Sequence, residues 1–286
     1  MKKIIVLTDF SSTARNAANA ALNIATLLNC DLLLINSFFL PFAIFTAEAE
    51  GRSMVDTALI ASASEDSLKK EARRLRRMIN SKTELIQKPI INYLSTIESI
   101  NQTIKELNET LQVSMLVMGV HRTSLPIIFS AIDIEPLLKQ LKYPLLIIPK
   151  SYRNSPIKNF VFATDLGNDD IPVLRQIQEY SKKLKFDIHV CHVTKPVFIP
   201  DFIEEDKQAK FINRLAFLGH NNITFTDLKG KNVAKTLNEF NRTIGADMLG
   251  IIYNPHSFAY KLLNGSHTSQ LVKHQRLPLI IFPANS

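Results

Sequence analysis

Residues 3–10 read Lys-Ile-Ile-Val-Leu-Thr-Asp-Phe, and residues 158–166 read Lys-Asn-Phe-Val-Phe-Ala-Thr-Asp-Leu. Each is a short apolar run that ends in Thr-Asp, at Thr8-Asp9 and at Thr164-Asp165. A run this short and apolar at nearly every position predicts a strand buried on both faces. A second echo follows: Tyr143–Pro149 (YPLLIIP) returns as Leu277–Pro283 (LPLIIFP). Thr8 lies 156 positions before Thr164, and Tyr143 lies 134 before Leu277, so the second copy is the shorter. One unit is therefore present twice. The polar stretch Lys150–Pro156 between the copies reads as a linker, which gives domains over 1–150 and 157–286.

Between the echoes, strands alternate with helical periodicity. The first copy predicts strands at Lys3–Thr8, Asp31–Ser37, Pro89–Leu94, Ser114–Gly119 and Pro144–Pro149. Ser11 or Ser12 caps its first helix, with Ala17, Ala21, Ile24 and Leu27 turned inward. Further helices are expected at Val55–Asn80, Ile97–Leu111 and Ile134–Leu141. The second copy predicts strands at Asn159–Thr164, Asp187–Val193, Ile223–Asp227, Asp247–Tyr253 and Leu279–Phe282. Its helices fall near Ile171–Leu184, Ile203–Leu218, Val233–Ile244 and Ser266–His274.

The expectation is an α/β fold of two tandem doubly wound domains, each a five-stranded parallel sheet flanked by helices. Ligands in such sheets sit at the carboxyl ends of the strands, where the strand order reverses. That singles out Asp9, Asp165 and the turns after the fourth strands. The closing strands, Leu145–Ile148 and Leu279–Phe282, would be open apolar edges. Pairing one with the other predicts an intramolecular pseudo-dimer, and a further homodimer stays open.

The 286 residues, 46% apolar and 21% charged, suit two hydrophobic cores and exclude a disordered or collagenous chain. No run approaches 18 uninterrupted apolar residues, so no membrane span is expected. Asp9 interrupts the apolar N-terminus and no small-residue cleavage site follows, which favours a strand over a signal peptide. Two well-separated cysteines, Cys30 and Cys191, fit a cytoplasmic protein with free thiols. The net charge of +8 draws partly on Lys69, Lys70, Arg73, Arg74, Arg76 and Arg77. Leu68, Ala72, Leu75 and Ile79 recur there at helical spacing, so the basic residues form a solvated outer face. No interleaved aromatics or recognition motif point to nucleic acid.

Catalytic signatures are missing. None of the eight glycines forms a G-x-G pair, and Ile251-Ile252 follow Gly250 where a P-loop needs Lys and Ser/Thr. Neither H-E-x-x-H nor G-x-S-x-G occurs. His189, Cys191 and His192 are close in sequence, but on a strand His192 faces away from the other two, so they do not jointly hold a metal. No nucleophile, base and oxyanion donors assemble, and a non-catalytic protein is expected.

The Thr-Asp-Phe-Ser strand end before an Ala-rich helix, the five-stranded unit and the closing Pro-Leu-Leu-Ile-Ile-Pro strand resemble the universal stress proteins. The likeness extends over both halves, as in a tandem member. ATP-binding members carry G-x2-G-x9-G-[ST] after the fourth strand, where glycines and a helix N-terminus receive phosphates. The resemblance implies that Asp9 or Asp165 faces the adenosine end and that Ser37 or Val193 helps contain the base. The first half keeps Gly119 but has Arg122 at the second glycine position and Ile132-Asp133 at the Gly-Ser position. The second half keeps Gly265-Ser266 but has Ile252 and Pro255 in place of the first two glycines. Pro255 offers no amide donor. Gly265-Ser266 reads equally as a loop glycine and helix cap.

Neither half holds the whole motif. The resemblance thus implies a stress-response protein that acts by binding, with a degenerate nucleotide site. The alternative is an ATP-binding member whose site lies in the second half. The ligand expected is an adenine nucleotide or another small molecule, beside an unidentified protein partner. The aromatic stretches Phe38–Phe45 and Pro196–Phe202 are candidates for lids or a mutual contact.

Overall fold

The computed structural model describes residues 1–38, 50–81, 87–120, 134–196, 202–219, 222–254 and 277–284, with side chains from 57 and 136 onward in the helices that begin at 50 and 134. It divides into two units, Met1–Asn154 and Ser155–Ser286. In the first, β1 (Lys3–Leu7), β2 (Asp31–Ser37), β3 (Ile91–Thr96), β4 (Val113–Val120) and β5 (Leu145–Pro149) alternate with helices. These are α1 (Ser12–Leu28), α2 (Glu50–Asn80), α3 (Ile100–Thr110) and α4 (Ile134–Gln140). The strands are parallel in the order β3-β2-β1-β4-β5.

The second unit has β6 (Asn159–Ala163), β7 (Asp187–Thr194), β8 (Ile223–Lys229), β9 (Met248–Tyr253) and β10 (Leu279–Pro283). Its described helices are α5 (Asp170–Leu184), α6 (Phe202–Ala216) and α7 (Val233–Ile244). The order β8-β7-β6-β9-β10 repeats that of the first unit, again all parallel. The expected helix Ser266–His274 lies outside the described residues.

The central strands are apolar because both faces are covered: Ile4, Ile5 and Val6 are fully buried, as are Val161 and Phe162. On α1, Ala17, Ala21, Ile24 and Leu28 form the inward stripe, whereas Leu27 is 51% exposed. The expectation that Leu27 faces inward fails because steps of four, three and four residues lead to position 28; its neighbour lies about 100° around the helix. Ser11 caps α1 by accepting from the Ala14 N–H at 3.1 Å. Ile97 is also exposed, because Ser99 is the cap of α3 and the helix begins at Ile100. On α2, Leu68, Ala72, Leu75 and Ile79 are buried as the spacing predicts, but Arg74 is half-buried.

The duplication reaches single side chains. Asn108 on α3 is satisfied: it donates to the Gln140 carbonyl at 3.2 Å and accepts from the Tyr143 hydroxyl at 2.7 Å. Counting from the caps Ser99 and Asn232, its counterpart on α7 is Asn241, and the counterpart of Tyr143 is Leu277. With that hydroxyl gone, Asn241 is 4% exposed and both amide atoms lack a partner among the described residues. A buried orphan amide destabilises, whereas a satisfied one does not. Replacing Asn241 by Leu should therefore raise unfolding stability by about 1 kcal/mol, while Asn108→Leu should lower it by about 1–2 kcal/mol. Denaturant unfolding of the two variants checks the opposite signs.

Candidate functional site

In both units the strand order reverses between the first strand and its fourth-strand neighbour, which opens a crevice at the carboxyl ends. In the first unit Leu7 pairs with Ile35 and with Met118. Asp9, Ser37 and Gly119 therefore follow at the ends of three adjacent strands. In the second, Ala163 pairs with Cys191 and Phe162 with Gly250. That brings Asp165, Val193 and Ile252 to the corresponding places. Arg122, Gly265 and Ser266 lie outside the described residues, as do Ile132, Asp133, Pro255 and most of the two aromatic stretches.

The turn that presents each aspartate is built by the preceding threonine. Thr8 Oγ1 accepts from the Phe10 N–H at 3.1 Å, and Thr164 Oγ1 accepts from the Leu166 N–H at 2.8 Å. Phe10 (φ 64°) and Leu166 (φ 62°) are both left-handed, a conformation costly for a bulky side chain, on the order of 1 kcal/mol or more. The threonine hydroxyl and the backbone bonds of Thr8 and Thr164 to the Ile35 and Cys191 carbonyls offset that cost. Strained residues of this kind cluster at functional sites.

The two crevices differ in chemistry at equivalent positions. Register places Asn36 opposite His192, and Ser95 opposite Asp227, when the units are superposed strand by strand. In the first unit the set is neutral. The Asn36 amide donates to the Thr8 carbonyl at 2.7 Å and accepts from Ser64, which lies 2.6 Å from Ser95 Oγ. In the second it is charged. His192 Nδ1 takes over the bond to the Thr164 carbonyl at 2.9 Å, and its Nε2 lies 2.9 Å from Glu204 on α6. Lys207, one turn along α6, donates to the Asp165 carbonyl at 2.8 Å. Asp227 accepts from Thr194 and pairs with Lys229 at 2.6 Å. Desolvation works against its ionisation, but Lys229 and Thr194 hold the carboxyl below its ordinary value. Helix α6 thus ties down the strand end that carries Asp165, whereas Asp9 is exposed and bonded only to the Ser11 N–H at 3.1 Å among the described residues.

Ser37 and Gly119 have structural tasks. Ser37 Oγ donates to the Glu98 carbonyl at 2.7 Å, joining β2 to the turn before α3. A Cβ at position 119 would stand 2.7 Å from the Thr13 carbonyl oxygen, so glycine is what lets the first turn of α1 lie on β4. Ile252 takes that place in the second unit, and there the turn from threonine to helix is two residues longer, with α5 beginning at Asp170. His189 bonds to Thr224 and Asn159, and Cys191 is fully buried, its thiol pushed up to about 12 by desolvation. Among the described residues no group of three His, Cys, Asp or Glu could hold a metal ion. Sequence reasoning missed Thr8, Asn36, His192 and Lys207. The doubled Thr-Asp was the available signal for the first, and strand register for the next two.

The universal stress protein family has a sequence profile that matches residues 1–149. The fold is similar to that of a universal stress protein from Archaeoglobus fulgidus DSM 4304, with TM-score 0.69 and 14% identity, over 99% of this chain and 97% of that one. A functionally unknown protein from Pseudomonas aeruginosa PAO1 is similar with TM-score 0.53 and 13% identity, over 99% and 93%. At such identities the likeness shows the fold alone. No curated protein matches.

Asp170, at the start of α5, lies against the Thr164–Gly167 turn that carries Asp165. It is 2% exposed, it accepts from the Gly167 N–H at 2.7 Å, and the Thr164 hydroxyl donates to it in a close contact. Burial, reinforced by the charge of Asp165, pushes its carboxyl up to about 7, against the opposing effect of Thr164 and Gly167. A carboxyl that holds its proton more tightly when folded contributes stability that fades as pH rises. The window runs from its unfolded value, near 4, to about 7. Across it, stability should fall by up to about 1.4 kcal/mol per pH unit from this group alone. Denaturant unfolding of Asp170→Asn from pH 4 to 7 should lack that component.

Proposed function

This chain belongs to the universal stress protein family, and we propose that it is a non-catalytic, tandem member that acts in a stress response by binding. Its nucleotide site is degenerate: the first unit keeps a crevice for the adenosine end of an adenine nucleotide, and the second has given its own up. The observation that carries this reading is the engagement of the second strand end by its own side chains, through His192–Glu204 and Lys207, while Asp9 remains exposed. These bonds hold Glu204 and Lys207 of α6 at the end of the second crevice, where an incoming adenosine would have to displace them.

In the first crevice Asp9 would accept from the ribose or base, with the left-handed turn at Phe10 fixing where its carboxylate points. The neutral Asn36–Ser64–Ser95 network holds the Thr8 carbonyl beneath it. A cytoplasmic location accords with Cys30 and Cys191, buried cysteines that form no disulfide. No described helix is long and apolar enough to cross a membrane.

Calorimetric titration with ATP and Mg²⁺ tests the reading. Weak saturable binding should be lost in Asp9→Ala and retained in Asp165→Ala, with no phosphate release above background. Loss on Asp165→Ala alone, or measurable hydrolysis, would overturn it.

A further inference from the structure

Beside the carboxyl end of β1, α1 and α2 flank a cleft of about 310 Å³ that none of Asp9, Ser37 or Gly119 lines. Ser67, Lys70, Arg74 and Arg77 recur along α2 at three- and four-residue steps, so they form one stripe into it, with Arg15 of α1 opposite. Thr8 and Phe10 complete the lining at the strand end. Four cations thus meet one carboxylate, Glu71. That carboxylate is buried and already committed: Arg74 grips it in a fork, Nε to Oε2 at 2.9 Å and Nη2 to Oε1 at 2.6 Å, and Arg15 stands 3.8 Å away.

The Arg74 guanidinium is further fixed by Asn19 at 2.7 Å, while its Nη1 meets only the weak acceptor Met78 Sδ. Lys70 and Arg77 have no carboxylate partner among the described residues. Spaced three and four residues from Arg74, they repel it along the helix. Their neighbour Lys69, by contrast, is paired with Glu65 at 2.8 Å. A concave site with a net excess of three positive charges, a preorganised guanidinium and two hydroxyl side chains suits an anion.

We propose that this cleft binds a small, soluble anion bearing phosphoryl groups, separately from the crevice at Asp9. Lys70 and Arg77 supply the free charge, and Arg74 supplies a donor held in place by Glu71 and Asn19. The cleft's size and concavity favour a molecule that enters it over a flat lipid surface that lies across it.

Inorganic pyrophosphate is the probe. Isothermal titration at low ionic strength should show one saturable site that weakens as salt is added. The double variant Lys70→Gln/Arg77→Gln, both side chains exposed, should lower the affinity at least about tenfold. Lys69→Gln should leave it unchanged, and Asp9→Ala, which removes a carboxylate between Thr8 and Phe10 of the lining, should not weaken it. Absence of saturable binding, equal affinity in the double variant, or loss on Asp9→Ala would each overturn the assignment. Co-sedimentation with phosphatidic acid vesicles, without pyrophosphate binding, would place the phosphoryl group on a lipid and overturn it as well.

Discussion

One hydrogen bond recurs at the heart of both units: a threonine hydroxyl at the end of a central strand receives the N–H two residues on and holds that residue left-handed. The chain leaves a parallel strand and must turn at once into a helix that packs back on the sheet. A glycine would make the turn at little steric cost but would also leave it loose. Threonine with a bulky left-handed residue makes it rigid instead, and the aspartate between them is presented in one orientation. The rest of each crevice is arranged around that point, down to the side chain that holds the threonine carbonyl from the neighbouring strand.

Duplication preserved the frame and released its contents. Asn36 and His192 perform the same task on the same carbonyl, yet only the histidine carries a second nitrogen that reaches a helix carboxylate. Ser95 and Asp227 likewise share a register position and differ in charge. The outcome is a first crevice of neutral, mutually satisfied groups beneath an exposed carboxylate, and a second in which helix α6 grips the strand end. Gly119 and Ile252 follow the same division. The glycine admits the first turn of α1 against the strand, and where isoleucine stands the helix begins two residues later.

Much of the fold was legible because it rests on local pattern. Runs such as Ile4–Leu7 and Phe160–Ala163 are apolar on both faces only in covered parallel strands, and the caps at Ser11 and Asn232 use the ordinary side chains for that position. What escaped the sequence depended on pairing between distant segments. Leu27 differs from Leu28 by a fraction of a turn, which no period resolves. The basic run on α2 read as a uniform solvated face, whereas Arg74 is drawn inward by Glu71 and by Asn19, 55 positions away. The site was visible as the doubled Thr-Asp, but Lys207 and Glu204 reach it from a helix whose placement only the folded sheet determines.

The central claim is asymmetry: two copies of one turn, of which a single copy is open to a ligand. Native mass spectrometry with adenosine in excess, which carries no phosphoryl group for the basic cleft on α2, counts it directly. One adenosine per chain is the predicted stoichiometry, and two per chain would contradict the account.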